Sequence, residues 1–361
     1  MKHFLAFIIL FSFFVCFPTL CLAFSRAPFL IEGARPLSMG RAFVAVSDGE
    51  NAFFYNPAGI GLNDKVVLYI DNISQYKSWD YPSSELYSYL DIQILAGFVN
   101  KNLGVGAAIR TKNFSYTDYI SDCRYDEVEV IPILTLGMKL NRWFSWGIRG
   151  KFNSFSNFLG NGNYDVGNIV SLDGGILYKP IEILALGLMC ENLLSTRGYY
   201  FIGDDGFESC EAKDLPQNLH IGLSLKLPSD ILLAFDVHNL LESSIVTFWF
   251  GGQEIRSPSA PCIPYQFKRS YHVGAEIPVS NLLTIRIGGF SERYPHSFFS
   301  VVDDSYLYQN SYMVTIGGEF NLNNLKLNMT LAREFKEEQP SHYVESPLND
   351  WYFSLSGSWI F

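Results

Sequence analysis

An antiparallel transmembrane β-barrel of about 14 strands is the fold this sequence predicts, on three observations. From residue 65 onward, runs of about ten residues alternate between two faces. The connections between runs alternate short and long. Most charges inside the runs share one face, and they carry both signs. Composition agrees: aromatic residues make up 16% of the chain and charged residues only 17%, against about 25% charged in an ordinary soluble domain.

The N-terminus reads as an export signal. Lys2 and His3 precede an almost unbroken apolar run from Phe4 to Phe17, and Cys21-Leu22-Ala23 puts small residues where a signal peptidase reads. Residues 1–23 are therefore expected to be a cleaved signal peptide. The run is short for a membrane anchor, and no later stretch offers the roughly 20 consecutive apolar residues of a spanning helix. Val15 and Leu20 precede the first two cysteines, where a lipoprotein needs a small residue. Cys123, Cys190, Cys210 and Cys262 remain after cleavage. None forms a CxxC pair, so zinc and thioredoxin chemistry lack support; export permits disulfides without requiring them. A net charge of −10 argues against nucleic acid, which needs a basic footprint.

The barrel is assigned to residues 65–361. Its first seven runs are Val66–Asn72, Leu90–Val99, Leu103–Asn113, Val128–Leu140, Phe144–Phe155, Ile169–Lys179 and Leu184–Leu193. The next seven are Asn218–Leu227, Ile231–Leu241, Tyr271–Pro278, Leu283–Ser291, Tyr312–Asn321, Leu325–Arg333 and Trp351–Phe361. Such lengths suit a tilted membrane strand and exceed the usual five or six residues of a soluble sheet. The short connections are Lys101-Asn102, Asn141–Trp143, Pro180–Ile183, Pro228–Asp230, Val279–Leu282 and Leu322–Asn324. The segments between them are long and mostly polar. Short turns on one side and long loops on the other are the layout of outer-membrane barrels, and a secreted β-sandwich has no reason to alternate this way.

The two faces separate cleanly. In Leu219–Leu227 one face is Leu219, Ile221, Leu223, Leu225 and Leu227; the other is His220, Gly222, Ser224 and Lys226. The second face of other runs holds Arg110, Arg149, Asp236, Glu276, Arg286, Glu319 and Lys326. A lipid-facing Arg or Lys costs about 2–4 kcal/mol at the midplane, so these residues are expected to line a polar lumen. Glu319 and Lys326 should lie close together across the Leu322–Asn324 turn. The last run carries Trp351, Phe353, Leu355 and Trp359 on one face and ends at Phe361. That ending resembles the signal that bacterial barrel assembly machinery reads, and the expected location is the outer membrane, among its lipids.

Residues 24–64 do not alternate. They are expected to form a compact plug inside the barrel, since larger barrels are often plugged. Asp48 is placed to cap a short helix ending near Asn56-Pro57. The strings GARPLSMGRAFVAVSD and NAFFYNPAGIGL resemble the N-terminal signature of the FadL superfamily, nearest its PorV/PorQ branch. Gly33, Pro36, Met39, Gly40, Asp48, Asn56, Pro57 and Gly59 carry the match. The pattern departs from that branch at Ser38 and Arg41, where glycines would stand. The resemblance implies a 14-stranded barrel with an N-terminal hatch that passes a hydrophobic ligand, such as a long-chain fatty acid. The PorV-like relatives imply an alternative: an accessory barrel that holds a secretion component.

Loop aromatics could meet such a ligand: Tyr199, Tyr200, Phe201, Phe248, Trp249, Phe250, Phe298 and Phe299. Membrane barrels also gather aromatics as interfacial girdles. Val246–Gly252, the most apolar loop stretch, reads as an extra hairpin or a surface element. No enzyme and no cofactor are expected, because no catalytic or metal motif frames the polar residues. One cluster stands out. In a hairpin turning at Ser229, His220 and His238 are cross-strand partners, with Cβ atoms about 4.5–5.5 Å apart, and His272 faces inward at similar height on the next strand. The three could bind a transition metal, act as a protonation-sensitive latch, or simply fill a polar lumen. Ser224 is four residues along from His220, too far for direct contact.

Overall fold

The computed structural model describes residues 33–62, 66–76, 87–100, 102–118, 123–159, 164–196, 199–200, 210–211, 217–241, 244–247, 263–266, 268–295, 308–336 and 351–360. The expectations for the signal peptide, for the plug before residue 33, for Cys262, for Phe361 and for the aromatics Phe201, Phe248, Trp249, Phe250, Phe298 and Phe299 concern residues outside that set.

Fourteen strands close into one antiparallel barrel. In chain order they are β1 Val66–Tyr76, β2 Tyr87–Asn100, β3 Leu103–Asp118, β4 Cys123–Lys139, β5 Phe144–Leu159, β6 Tyr164–Ile181 and β7 Leu184–Ser195. Then follow β8 Asn218–Lys226, β9 Leu232–His238, β10 Ser270–Pro278, β11 Leu283–Pro295, β12 Tyr308–Leu322, β13 Leu325–Lys336 and β14 Trp351–Ile360. Each strand pairs with its neighbour in this order, and β1 pairs with β14 from Val67↔Ile360 to Tyr76↔Trp351. Closure leaves no sheet edge, which a lipid environment requires because it offers bare N–H and C=O groups no partner.

Side-chain alternation sets the register. Leu134 (68% exposed), Val314 (58%) and Ile109 (53%) point outward, while Arg110, Arg149, Asp236 and Arg286 are all at or below 2%. An apolar outside around a charged inside is the pattern of a membrane barrel and the reverse of a soluble one.

All 14 alternating runs are strands, but several ladders reach further toward the long-loop side than the runs do. β4 begins at Cys123, not Val128, and β12 at Tyr308, not Tyr312. Backbone pairing does not require an apolar face, so it continues where the alternation fades. The opposite occurs at β9, which stops at His238, not Leu241. There Asn239 takes a left-handed φ of 58°. Its side-chain amide donates to the Lys268 carbonyl at 3.2 Å, and its side-chain oxygen receives the Asn218 amide at 2.6 Å. Two short ladders stand apart from the barrel, Tyr199–Tyr200 with Cys210–Glu211 and Ser244–Thr247 with Ile263–Gln266. The second takes in Val246 and Thr247 of the apolar loop stretch. Cys190 is a free thiol.

Residues 33–62 run along the inner wall. They form a five-residue helix, α1 (Ala34–Ser38), and two 3₁₀ turns, Gly49–Phe53 and Pro57–Leu62. Pro36 sits in the first turn of α1, where its missing N–H has no partner to lose. Three apolar clusters seat this segment. Leu37 packs with Phe290, Met313, Ala332 and Tyr352. Met39, Ala42, Phe43, Val46 and Tyr55 gather with Ala234. Phe53, Phe54 and Ile60 pack with Tyr69, Leu95 and Ile131.

Candidate functional site

The interface between the inner segment and the wall holds most of the chemistry. Its basis is a set of glycines at inward positions. Phe53 lies on Gly97 and Gly106, Pro57 on Gly147, Asn56 on Gly175, Val44 on Gly187, Ala45 on Gly222, Met39 on Gly274 and Gly40 on Gly288. A methyl group at any of these would overlap the inner segment. Several are direct neighbours across strands: Gly97↔Gly106, Gly147↔Gly175, Gly187↔Gly222 and Gly274↔Gly288. The result is a shallow groove around the wall, formed by absent side chains, in which the segment is inlaid. Gly150, Gly174 and Gly318 lack this role; a methyl carbon added there would have its nearest neighbour 3.7–4.0 Å away.

Charge ties α1 to the wall. Arg35 pairs with Asp48, and its Nε lies 2.9 Å from Glu276 Oε2. Glu276 also meets Arg286 Nε at 2.6 Å, and Arg286 meets Glu319 at 2.6 Å and Asn328 at 2.7 Å. Lys326 ends the series, 3.8 Å from Glu319. Signs alternate from Asp48 to Lys326, so each charge in the series has an opposite neighbour. Burial opposes charge on Arg35, but Asp48 and Glu276 outweigh it and hold its pKa above the ordinary value. The expected proximity of Glu319 and Lys326 is present. Asp48 requires a correction. It stands at the N-terminal end of the Gly49–Phe53 turn but makes no side-chain capping bond, because its carboxylate is engaged by Arg35. A second charge cluster joins β5 to β6, where Asp173 accepts from Arg149 at 2.7 Å and meets Lys151 at 2.9 Å.

Further along the inner segment, Asp236 Oδ2 accepts the backbone N–H groups of Phe43 (2.6 Å) and Val44 (2.7 Å). Asn56 extends its Nδ2 to three carbonyls: Val44 at 3.0 Å, Ile176 at 3.1 Å and Leu188 at 3.3 Å. Its Oδ1 receives the Ala58 N–H at 3.1 Å, which fixes the Asn-Pro-Ala-Gly step. Gly40 and Arg41 both have left-handed φ, 59° and 61°. That conformation is costly for Arg41, by about 1–2 kcal/mol, and gives a physical reason for the glycine expected there. In return Arg41 pairs with Glu292, and its guanidinium lies over the Phe290 ring, 5.4 Å from the centroid.

The three histidines come together as a column. His220 and His238 meet edge to face at 4.8 Å, His238 and His272 stack at 3.9 Å, and His272 stacks on Phe290 at 5.2 Å. Ring contacts, not converging ring nitrogens, hold the column together. Among the described residues no group of three or more His, Cys, Asp or Glu is arranged to hold a metal ion. His272 Nδ1 lies 3.0 Å from the Gly40 carbonyl, which can only accept, so that nitrogen carries the proton. His272 Nε2 then accepts from Ser270 Oγ at 2.8 Å. Sequence reasoning weighed Ser224 as a partner and missed Ser270, two residues from His272 and therefore on the same face. The glycine groove was missed as well; its signal was glycine recurring at the inward parity of successive strands.

No protein-family model matches the sequence, and no curated protein matches it. Solved structures do. A FadL homologue of Pseudomonas aeruginosa aligns over 94% of this chain and 99% of its own at 14% identity, with a TM-score of 0.60. The CymD monoaromatic hydrocarbon channel aligns over 91% and 97% at 11% identity and a TM-score of 0.63. The Pseudomonas putida toluene transporter TodX aligns over 91% and 97% at 14% identity and a TM-score of 0.61. The chain is a 14-stranded transmembrane β-barrel with an N-terminal segment inlaid in its lumen, and it shares the fold of these three solved proteins.

Proposed function

We propose that this chain is an outer-membrane channel for hydrophobic small molecules, exported by a signal peptide over residues 1–23 and plugged by residues 24–64. The observation that carries this reading is the inlaid segment. It takes up lumen that an open porin leaves to water, in a fold shared with hydrocarbon channels. Long loops would face the exterior and gather ligand, and short turns would face the periplasm. Long-chain, fatty acid-like molecules are the substrate class we favour.

Lipid extraction and mass spectrometry of the detergent-purified barrel test this, alongside a variant lacking residues 24–61. A stoichiometric hydrophobic ligand, lost or altered in the variant, is the expected result. An empty barrel that co-purifies with a periplasmic or secreted protein would instead assign it to secretion.

A further inference from the structure

We propose that His238 and His272, together with Asp236, form a proton-operated latch that frees the Gly40–Val44 stretch of the inner segment from the wall in mild acid. Two observations place the histidines in control. The column and its neighbouring carboxylate are themselves the wall's ligands for this stretch: His272 donates to the Gly40 carbonyl, and Asp236 accepts from Phe43 and Val44. The column is also closed to water, with His272 and Asp236 at 0% exposure and His238 at 6%.

Protonation leaves the bond from His272 Nδ1 to the Gly40 carbonyl in place and acts on the buried rings themselves and on Asp236. Imidazole ordinarily titrates near pH 6.5. Two rings stacked 3.9 Å apart cannot both carry charge without strong repulsion. The charged groups around them are mixed. From the inner segment comes Arg41, paired to Glu292 of β11, and its charge opposes a second cation nearby. From β9 comes Asp236, whose Oδ2 lies 3.4 Å from His238 Nε2. From β8 comes His220, whose Nε2 is 3.4 Å from Glu191 of β7. A proton on His238 turns that ring toward Asp236 as a donor, and it then competes with Phe43 and Val44 for the same oxygen. A proton on His272 must be placed on Nε2, where Ser270 now donates, so the Ser270 hydroxyl has to turn. Release of the stretch lets water reach the rings, which lowers the free energy of the charged forms. Proton uptake by the two histidines therefore favours release, and their share of the hold weakens as pH falls. The contacts of Asn56 involve no titratable group and stay closed.

Pulsed hydrogen exchange on the intact barrel reads this directly, with labelling times scaled for the intrinsic pH dependence of exchange. Between about pH 7.5 and pH 5.5, peptides covering residues 40–44 should lose protection by up to about tenfold per pH unit for each linked proton. Peptides covering residues 54–60 should not change. In a His238→Gln/His272→Asn variant, whose amides keep a donor near each site, the pH dependence should vanish. Should that variant fail to fold, His238→Gln alone should reduce the slope. Equal protection of residues 40–44 at both pH values in the wild-type protein overturns the proposal, as does an undiminished slope in a folded variant.

Discussion

Asn56 Nδ2 donates to the carbonyl of Ile176 across 120 residues of sequence, at 3.1 Å. One side-chain amide thus links the inner segment to β6, and through Leu188 at 3.3 Å to β7. Replacing Asn56 by Asp leaves the shape but sets a carboxylate against three carbonyl oxygens. Leaving such buried groups unsatisfied costs about 1–3 kcal/mol. Asn56→Asp should speed hydrogen exchange across residues 54–60 while the barrel itself stays folded. Unchanged exchange would show that this amide is dispensable.

The alternating charge series makes a second prediction. Removing Arg35 leaves Asp48 and Glu276 without their shared cation. Breaking a fully buried ion pair from one side costs about 3–5 kcal/mol; this one is part-buried and Asp48 is 42% exposed, so Arg35→Met should lower the denaturant midpoint followed by tryptophan fluorescence by less than that. Arg286 remains beside Glu276, so a Glu276→Gln change added to Arg35→Met should cost less than the two single effects summed. Full additivity would argue against a coupled network.

The glycine groove predicts a contrast between positions. Gly288→Val drives a side chain into Gly40 and Met39, whereas Gly318→Ala meets nothing closer than 3.7 Å. The first should expose the inner segment to limited proteolysis, with the barrel still showing its heat-dependent gel shift. The second should leave digestion unchanged. Equal digestion of both variants would mean that the groove does not seat the segment.

The outer face predicts a membrane cost. Leu134→Arg places a cation at the most exposed large apolar position among the described residues. Folding into bilayers should be weakened by about 2–4 kcal/mol if that position lies near the midplane. A neutral result would put Leu134 at the headgroup level.

Much of the architecture is legible along the chain. Period-two alternation decides which side chains face lipid, and connection length decides which strands are hairpin partners. Both are local properties, so all 14 strands and the inward placement of Arg110, Arg149, Asp236 and Arg286 follow from them. The cross-strand juxtaposition of His220 with His238 follows too, because one short turn sets the register of that hairpin.

What the inner segment touches was settled only by tertiary structure. Residues 33–62 have no repeating period, and their partners lie up to 296 residues away, as in the 2.5 Å bond from Thr330 to the Ala34 carbonyl. Asp48 shows the limit. Its place before a short helical turn reads locally as a cap, yet a part-buried arginine 13 residues earlier takes its carboxylate. Sequence determined the wall, because a strand in a closed sheet has its neighbours assigned by order. The seat of the inner segment depends on where the wall lacks side chains, and those gaps align only once the barrel closes.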